Sequence, residues 1–236
     1  MNDLFRVHLP YQDIKFTCHD KNVLKNFPIV PAKDCIPEWY EKLNDKDSIA
    51  NNMPVRDYIT AGYIIPNAFE QAIGINVEDG IECPDVIHPI EKPGEFFTSL
   101  NHVTAPNYFF PHKFCPVQID GAKRSYYKLK LPWRIETPKG YSTLFFQPYY
   151  NFNKGFSIMP FVLDTDLFDL SNLEFPCYIK KEVDIKPGEP IVQFIPFKRE
   201  SWQHELSLSK EETNSKMNFF LKDMYKRAFH QKKSFN

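Results

Sequence analysis

Short apolar segments separated by regular turn signals constrain the fold of this 236-residue chain more than any other feature. Between residues 113 and 197 the apolar segments are broken by clusters of Pro, Asn and Gly, such as Pro138-Lys139-Gly140 and Lys186-Pro187-Gly188. Strand-length segments with a turn every ~8–12 residues are typical of β-sandwiches and β-barrels. The sequence therefore predicts a mainly β protein with a barrel or sandwich core. Its predicted strands are Ser125–Leu131, Tyr141–Phe146, Phe156–Val162, Leu173–Ile179 and Pro190–Phe197.

Two flanking regions differ from this core, which we place at residues 113–206. Residues 1–112 form an irregular α+β elaboration, with a short helix at Ile36–Leu43 that has Pro37 at its first position and a hairpin turn at Asp79-Gly80. Residues 207–236 form an amphipathic helix with Ser209 as N-cap. We expect the three regions to make one compact domain, of which the core is β-clip or jelly-roll-like.

Charge and cysteine content exclude several classes of protein. The formal net charge is -1, so no global field attracts the chain to nucleic acid or an anionic membrane. The first residues lack the basic and apolar regions of a signal peptide, and no apolar run approaches the ~20 residues that span a bilayer. The 5 cysteines form no C-x-x-C pair, and their odd count argues against a disulfide framework. We therefore expect a soluble, cytoplasmic protein with reduced cysteines.

The sequence contains no standard catalytic or cofactor motif, whether Walker A, dinucleotide-binding, G-x-S-x-G or H-E-x-x-H. His102, His112 and Cys115 lie in one loop-rich stretch and are weak candidates for zinc ligands, because their spacing matches no metal signature. No cofactor is assigned from the sequence.

Two aspartates at the end of a predicted strand are the candidate catalytic residues. The apolar segment Phe161–Leu163 runs into Asp164-Thr165-Asp166, and two positions along a strand point to the same face. Paired carboxylates there could hold a metal or orient a water molecule. The alternative is that this Asp-x-Asp sequence forms local Asx-turn hydrogen bonds.

Polar residues in and after the last predicted strand are the candidate ligand-binding residues. Gln193 is the polar member of an apolar run, so it is either buried and hydrogen-bonded or faces a ligand. Arg199 and Trp202 follow the strand and supply a cation and a stacking surface, which could bind an anion or a base. The alternative is that they form the edge of the connection to the terminal helix.

Two family resemblances add to these predictions. Segments that include Ile36-Pro37-Glu38-Trp39 and Pro132-Trp133-Arg134-Ile135 resemble an uncharacterised family of tailed marine phages and some bacteria, which brings no activity. Residues 137–197 resemble the dUTPase and dCTP-deaminase superfamily, which has a β-clip fold and usually trimerises. The resemblance rests on Pro138-Lys139-Gly140-Tyr141, on Val162-Leu163-Asp164-Thr165-Asp166 and on Gly188-Glu189-Pro190-Ile191-Val192-Gln193.

The dUTPase resemblance implies roles for individual residues. Asp164 would take the place of the aspartate that orients water, Gln193 that of the motif glutamine, and Tyr141 would line the ligand site. The phosphate-binding P-R-S-G motif is missing, because Phe146-Gln147-Pro148-Tyr149 stands there, and Leu167 replaces the base-stacking tyrosine. We therefore expect the scaffold without the dUTPase reaction.

Two hypotheses about function follow from the sequence. The first is an accessory, phage-type protein that binds a nucleotide-like or other small polar ligand near Asp164, Asp166, Gln193 and Arg199, with no catalytic activity assigned. The second is a structural or assembly protein, such as a virion or oligomer component, that associates through its aromatic surface or its terminal helix. A membrane or nucleic-acid partner is not expected.

Overall fold

A computed structural model describes residues 13–43, 48–68, 71–78, 81–87, 126–148, 150, 155–167, 173–208 and 235. The described chain is mainly β. Its strands are β1 Lys15–Cys18, β2 Val30–Pro31, β3 Tyr63–Pro66, β4 Gln71–Glu78, β5 Ile81–Ile87, β6 Tyr126–Leu131, β7 Trp133–Glu136, β8 Tyr141–Phe146, β9 Phe156–Ile158, β10 Phe161–Leu163, β11 Leu173–Ile179, β12 Val183–Ile185 and β13 Pro190–Lys198. Its α-helices are α1 Lys21–Asn26, α2 Glu38–Glu41 and α3 Met53–Thr60.

The strands form four antiparallel sheets. A five-stranded sheet has the order β10-β8-β13-β3-β2, two three-stranded sheets have the orders β6-β11-β9 and β12-β4-β5, and β1 pairs with β7. The predicted barrel is wrong for the part of the chain described, since none of these sheets closes on itself. The edge strands β10 and β2 of the largest sheet each pair with one neighbour and not with each other.

The core lies between the five-stranded sheet and the β6-β11-β9 sheet. Phe145 and Phe194 are completely buried on the inner face of the larger sheet, and Phe175 is completely buried on β11. Ring centroids of Phe145 and Phe175 are 5.5 Å apart, edge to face, which is a favoured aromatic geometry. The aromatic richness of the sequence is therefore used to pack two sheets against each other.

Most predicted strands match the observed ones. Tyr141–Phe146 and Leu173–Ile179 are confirmed at both ends. Glu78 of β4 pairs with Ile81 of β5, as expected for strands joined by a tight hairpin, while the predicted turn residues Asp79-Gly80 lie outside the described residues. The single strand predicted at Phe156–Val162 is instead two strands. β9 pairs with β11 and β10 pairs with β8, so the chain passes from one sheet to another at Met159-Pro160, where proline removes a ladder donor.

The helices differ more from prediction. α2 begins at Glu38, so Pro37 is the N-cap rather than the first helical residue. α3 is an eight-residue helix that the sequence analysis did not predict, and its N-cap is Asn52. The predicted terminal helix from Ser209 lies outside the described residues. No helix in the described part of the chain combines the length and apolar character needed to cross a bilayer.

One glycine fixes how α3 joins the sheet. Gly62 has a φ of 71°, and a Cβ atom placed on it would lie 1.9 Å from the carbonyl oxygen of Phe194. Any other residue would have to displace the backbone of the central strand β13. The tight turn from α3 into β3 therefore requires glycine here.

Candidate functional site

Three chain segments meet at one end of the five-stranded sheet. β10 pairs with β8 so that Leu163 lies opposite Thr143, and β13 pairs with β8 so that Lys198 lies opposite Tyr141. The turn after β10 and the residue after β13 are therefore brought to the start of β8. This register places Asp164, Asp166 and Arg199 together, as the sequence analysis predicted.

Asp166 and Arg199 form a two-pronged ion pair. Arg199 Nη1 lies 2.7 Å from Asp166 Oδ1, and Nη2 lies 2.5 Å from Oδ2. The N–H of Gly140 also donates to Asp166 Oδ2 at 2.7 Å, and Gly140 reaches this position with a φ of 89°. The Asp166 side chain is only 1% exposed. This carboxylate therefore joins two turns and the end of β13.

Asp164 occupies the outer side of the same cluster. The Ser142 hydroxyl donates to Asp164 Oδ1 at 2.6 Å, and Arg199 Nη1 lies 3.1 Å from the same oxygen. Arg199 also donates to the carbonyl of Tyr141 at 2.8 Å. Because 51% of the Asp164 side chain is exposed, this carboxylate can still be reached from solvent.

Below the ion pair, three buried threonines share a chain of hydroxyl hydrogen bonds. Thr165 Oγ1 lies 2.7 Å from Thr137 Oγ1 and 2.8 Å from Thr143 Oγ1. Since each hydroxyl can donate once and accept, the chain satisfies all three groups without water. Thr165 is the middle residue of the Asp-Thr-Asp sequence, so it anchors the turn to β8 while its two neighbours contact Arg199.

The ion pair determines the electrostatics of the cluster. Hydrogen bonding from Arg199, together with the Gly140 N–H, lowers the pKa of Asp166 to about 2 despite its desolvation. The same hydrogen bond raises the pKa of Arg199. A carboxylate with so low a pKa is a weak base at neutral pH, so Asp166 is better suited to holding a cation than to accepting a proton.

Gln193 lies away from this cluster. It is 3% exposed, and its Nε2 donates to the carbonyl of Tyr58 at 3.0 Å and to that of Ala61 at 2.9 Å. These carbonyls stand at the end of α3, where helical carbonyls have no partner within the helix. Gln193 therefore joins α3 to the outer face of the sheet. Of the other predicted ligand-binding residues, Tyr141 contributes its carbonyl to the cluster, whereas Trp202 is 84% exposed beyond it.

The described residues form no candidate metal centre. No group of three or more His, Cys, Asp or Glu side chains within them could hold a metal ion. At the two aspartates, the guanidinium of Arg199 occupies the place that a cation would take. His102, His112 and Cys115 lie outside the described residues, so their proposed zinc site stays a prediction.

No family model and no curated protein matches this chain.

An exposed segment leaves the sheet directly after the cluster. Arg199 is fixed by its ion pair and by its backbone N–H, which donates to the carbonyl of Gly140 at 2.8 Å. The following residues, Ser201–Leu208, have no regular secondary structure and every one of them is exposed. Trp202 is 84% exposed, Leu206 90% and Leu208 100%. We call residues 200–208 the arm.

Sequence reasoning missed two parts of this region. The supporting hydroxyls of Ser142, Thr137 and Thr143 carry no signal until the register of β8 is known, because their partners lie 22 or more residues away. The arm does carry a signal, since Trp202, His204, Leu206 and Leu208 occupy alternate positions. That spacing is typical of an extended segment with one apolar side.

Proposed function

We propose that this protein is a structural subunit of a homo-oligomeric assembly and that the arm is its contact segment. The observation that carries the proposal is the exposure of Trp202, Leu206 and Leu208 at 84%, 90% and 100%. Contiguous exposed apolar side chains are typical of interaction sites. Burial of each of these side chains would contribute about 1.5–3 kcal/mol.

The ion pair of Asp166 and Arg199 supports this function because it fixes the base of the arm. A segment whose starting point and direction are held in the free protein loses less conformational entropy when it binds. The cluster that the sequence predicted to be catalytic thus holds the base of the arm in place. Its lowered carboxylate pKa, saturated hydrogen bonds and buried threonines all suit a structural role.

The molar mass of the full-length protein in solution tests the proposal. We expect light scattering on a sizing column to give a multiple of the 27.8 kDa chain mass at micromolar concentration. A variant with Trp202→Ser, Leu206→Ser and Leu208→Ser should return to the monomer mass. Leu24→Ser, which changes a leucine that is 49% exposed on α1, is the matched control and should leave the assembly intact. A monomeric unmodified protein would contradict the proposal.

A second candidate function is the binding of a small polar or nucleotide-like ligand at the edge of the cluster. Its support is the Asp164 carboxylate, which is 51% exposed beside the Ser142 hydroxyl and Arg199. Thermal-shift screening against nucleotides, sugars and divalent metals tests it. A ligand at 100-fold excess over its Kd should stabilise the fold by about 2.7 kcal/mol, and Asp164→Asn should remove the shift. No shift across the panel would contradict this function.

We also propose a sandwich-like arrangement for the core. The aromatic contacts between the five-stranded sheet and the β6-β11-β9 sheet support it. The β-clip relationship to dUTPases and a place in a phage particle stay hypotheses drawn from sequence resemblance. A β-rich subunit with a projecting arm is compatible with either.

A further inference from the structure

The outer face of the five-stranded sheet has an apolar region that α3 leaves uncovered. The register aligns Val162, Leu144 and Ile195 in one row across β10, β8 and β13, and Phe197 follows on the same face of β13. Val162 is 55% exposed and Phe197 39% exposed. We call these four residues the apolar strip. The other end of this face is covered, because Gln193 and Phe146 contact α3 there.

The arm starts at the same end of the sheet as the strip. β10 and β13 are both antiparallel to β8, so they run in the same direction, and they end opposite Thr143 and Tyr141. The arm continues from β13 at this point, next to the last residues of the strip. Both the arm and Val162 remain exposed, so the arm does not cover the strip of its own chain.

The arm is apolar on one side, like the strip, and is long enough to cross it. In an extended chain alternate side chains point to one side, so Trp202, Leu206 and Leu208 share a side that is apolar except for His204. Gln203 and Glu205 face the other way. Residues 202–208 span about 20 Å at ~3.3 Å per residue, whereas three strands at ~4.8 Å spacing span about 10 Å. The arm can therefore cross the strip with its apolar side facing it.

We infer that the arm of one protomer packs on the apolar strip of a second copy, and that the second copy returns the same contact about a two-fold axis. The inference rests on the proposed function and adds to it the acceptor surface and the symmetry. The arm and the apolar strip lie at the same end of one sheet, so a two-fold axis beside that end brings each arm to the partner's strip. An isologous contact of this kind closes after two chains.

The buried area favours the reciprocal form. A tryptophan side chain buries ~150–250 Å² and a leucine side chain roughly 100 Å², so the three apolar side chains of one arm bury roughly 400 Å² and at most a similar area on the acceptor. One arm thus gives at most roughly 800 Å², below the ~1,200–2,000 Å² of stable interfaces. Two arms give roughly 1,600 Å². A single, one-way contact would be too small to hold a stable pair.

A substitution on the acceptor tests the inference. Val162→Lys places a charge at an exposed edge-strand position that tolerates lysine, so the fold should persist, which urea unfolding verifies. We expect sedimentation velocity of the full-length protein to show a dimer that Val162→Lys weakens at least tenfold. Leu24→Ser should leave the dimer unchanged. A mixed pair of the Val162→Lys protein and the triple arm variant keeps one intact arm and one intact strip. It should therefore associate more strongly than either variant alone but far more weakly than the unmodified protein.

Cross-linking provides the second measurement. A photo-reactive amino acid at position 202, in a mixture of ¹⁴N- and ¹⁵N-labelled chains, should give mixed-isotope cross-links to peptides that contain Val162 or Phe197. Cross-links within one chain only would overturn the inference. If the arm variant dissociates and Val162→Lys does not, the acceptor is wrong and the proposed function stands. If neither variant changes an oligomer, or the unmodified protein is a monomer, both fail.

Discussion

Replacing Gln193 by leucine tests whether this predicted ligand-binding residue is structural. Its amide donates to the carbonyls of Tyr58 and Ala61, and it is 3% exposed. Tyr58 keeps a second partner, because the N–H of Ala61 also donates to its carbonyl at 3.4 Å. The Ala61 carbonyl loses the hydrogen bond from Gln193 without such a replacement. An unsatisfied buried carbonyl costs about 1–3 kcal/mol and a lost hydrogen bond about 1 kcal/mol, so Gln193→Leu should destabilise the fold by about 2–4 kcal/mol.

Urea unfolding followed by circular dichroism measures this loss, with Gln203→Leu in the exposed arm as the matched control. The control should change the free energy of unfolding by less than ~0.5 kcal/mol. Gln193→Glu adds a pH test. The introduced carboxyl faces carbonyl oxygens, so its protonated form is favoured in the folded state, and the deficit should grow as pH rises through ~4.3. Equal stability of Gln193→Leu and the unmodified protein would refute the structural role.

Three further predictions follow from the cluster and the core. Thr165→Val removes the hydroxyl that joins Thr137 and Thr143 and should lower the free energy of unfolding, measured by heat or urea, by about 1–3 kcal/mol. Thr165→Ser keeps a hydroxyl and should retain most of that stability. Equal stability of the two variants would contradict the hydroxyl chain. The pKa of Asp166 is about 2, below its ordinary value of 3.8, so its stabilising contribution is complete above about pH 4 and is lost as pH falls through about 2. Carboxyl NMR titration should show this low pKa, and Arg199→Gln should raise it; titration near 3.8 in the unmodified protein would refute the ion pair. Burial raises the pKa of the Cys177 thiol to about 12, so iodoacetamide should label this cysteine only after unfolding, and rapid labelling of the native protein would show that the site is open.

The sequence predicted the β-core well because local signals determine it. Short apolar segments bounded by turn-forming residues mark β8, β11 and β13, and the observed strands begin or end within one residue of the predicted bounds. Pro160 is a local signal for the split of the predicted strand Phe156–Val162, but only the fold shows that β9 pairs with β11 and β10 with β8. Pairing between distant strands also decides whether sheets close, so the sequence left a barrel and a sandwich as alternatives, and the sheets of the described residues do not close.

The candidate site was predicted in part for the same reason. Asp164, Asp166 and Arg199 carry the charges that a sequence reveals, and they do come together. Gln193 was grouped with them because it is the polar residue of an apolar strand. It lies six residues before Arg199 in the sequence and contacts the end of α3 instead of the cluster. Its partners on α3 are 132 or more residues away in sequence, so only the fold reveals that its amide serves a helix end.

Hydrogen exchange of the arm tests the central claim most directly. In a monomer, the exposed backbone of residues 201–208 should exchange at the rate of an unstructured chain. If the arm is the contact segment of an assembly, its exchange should slow as the protein concentration rises from about 1 to 100 μM, and the Trp202→Ser, Leu206→Ser, Leu208→Ser variant should show no such slowing. Fast exchange of the unmodified arm at every concentration would contradict the account.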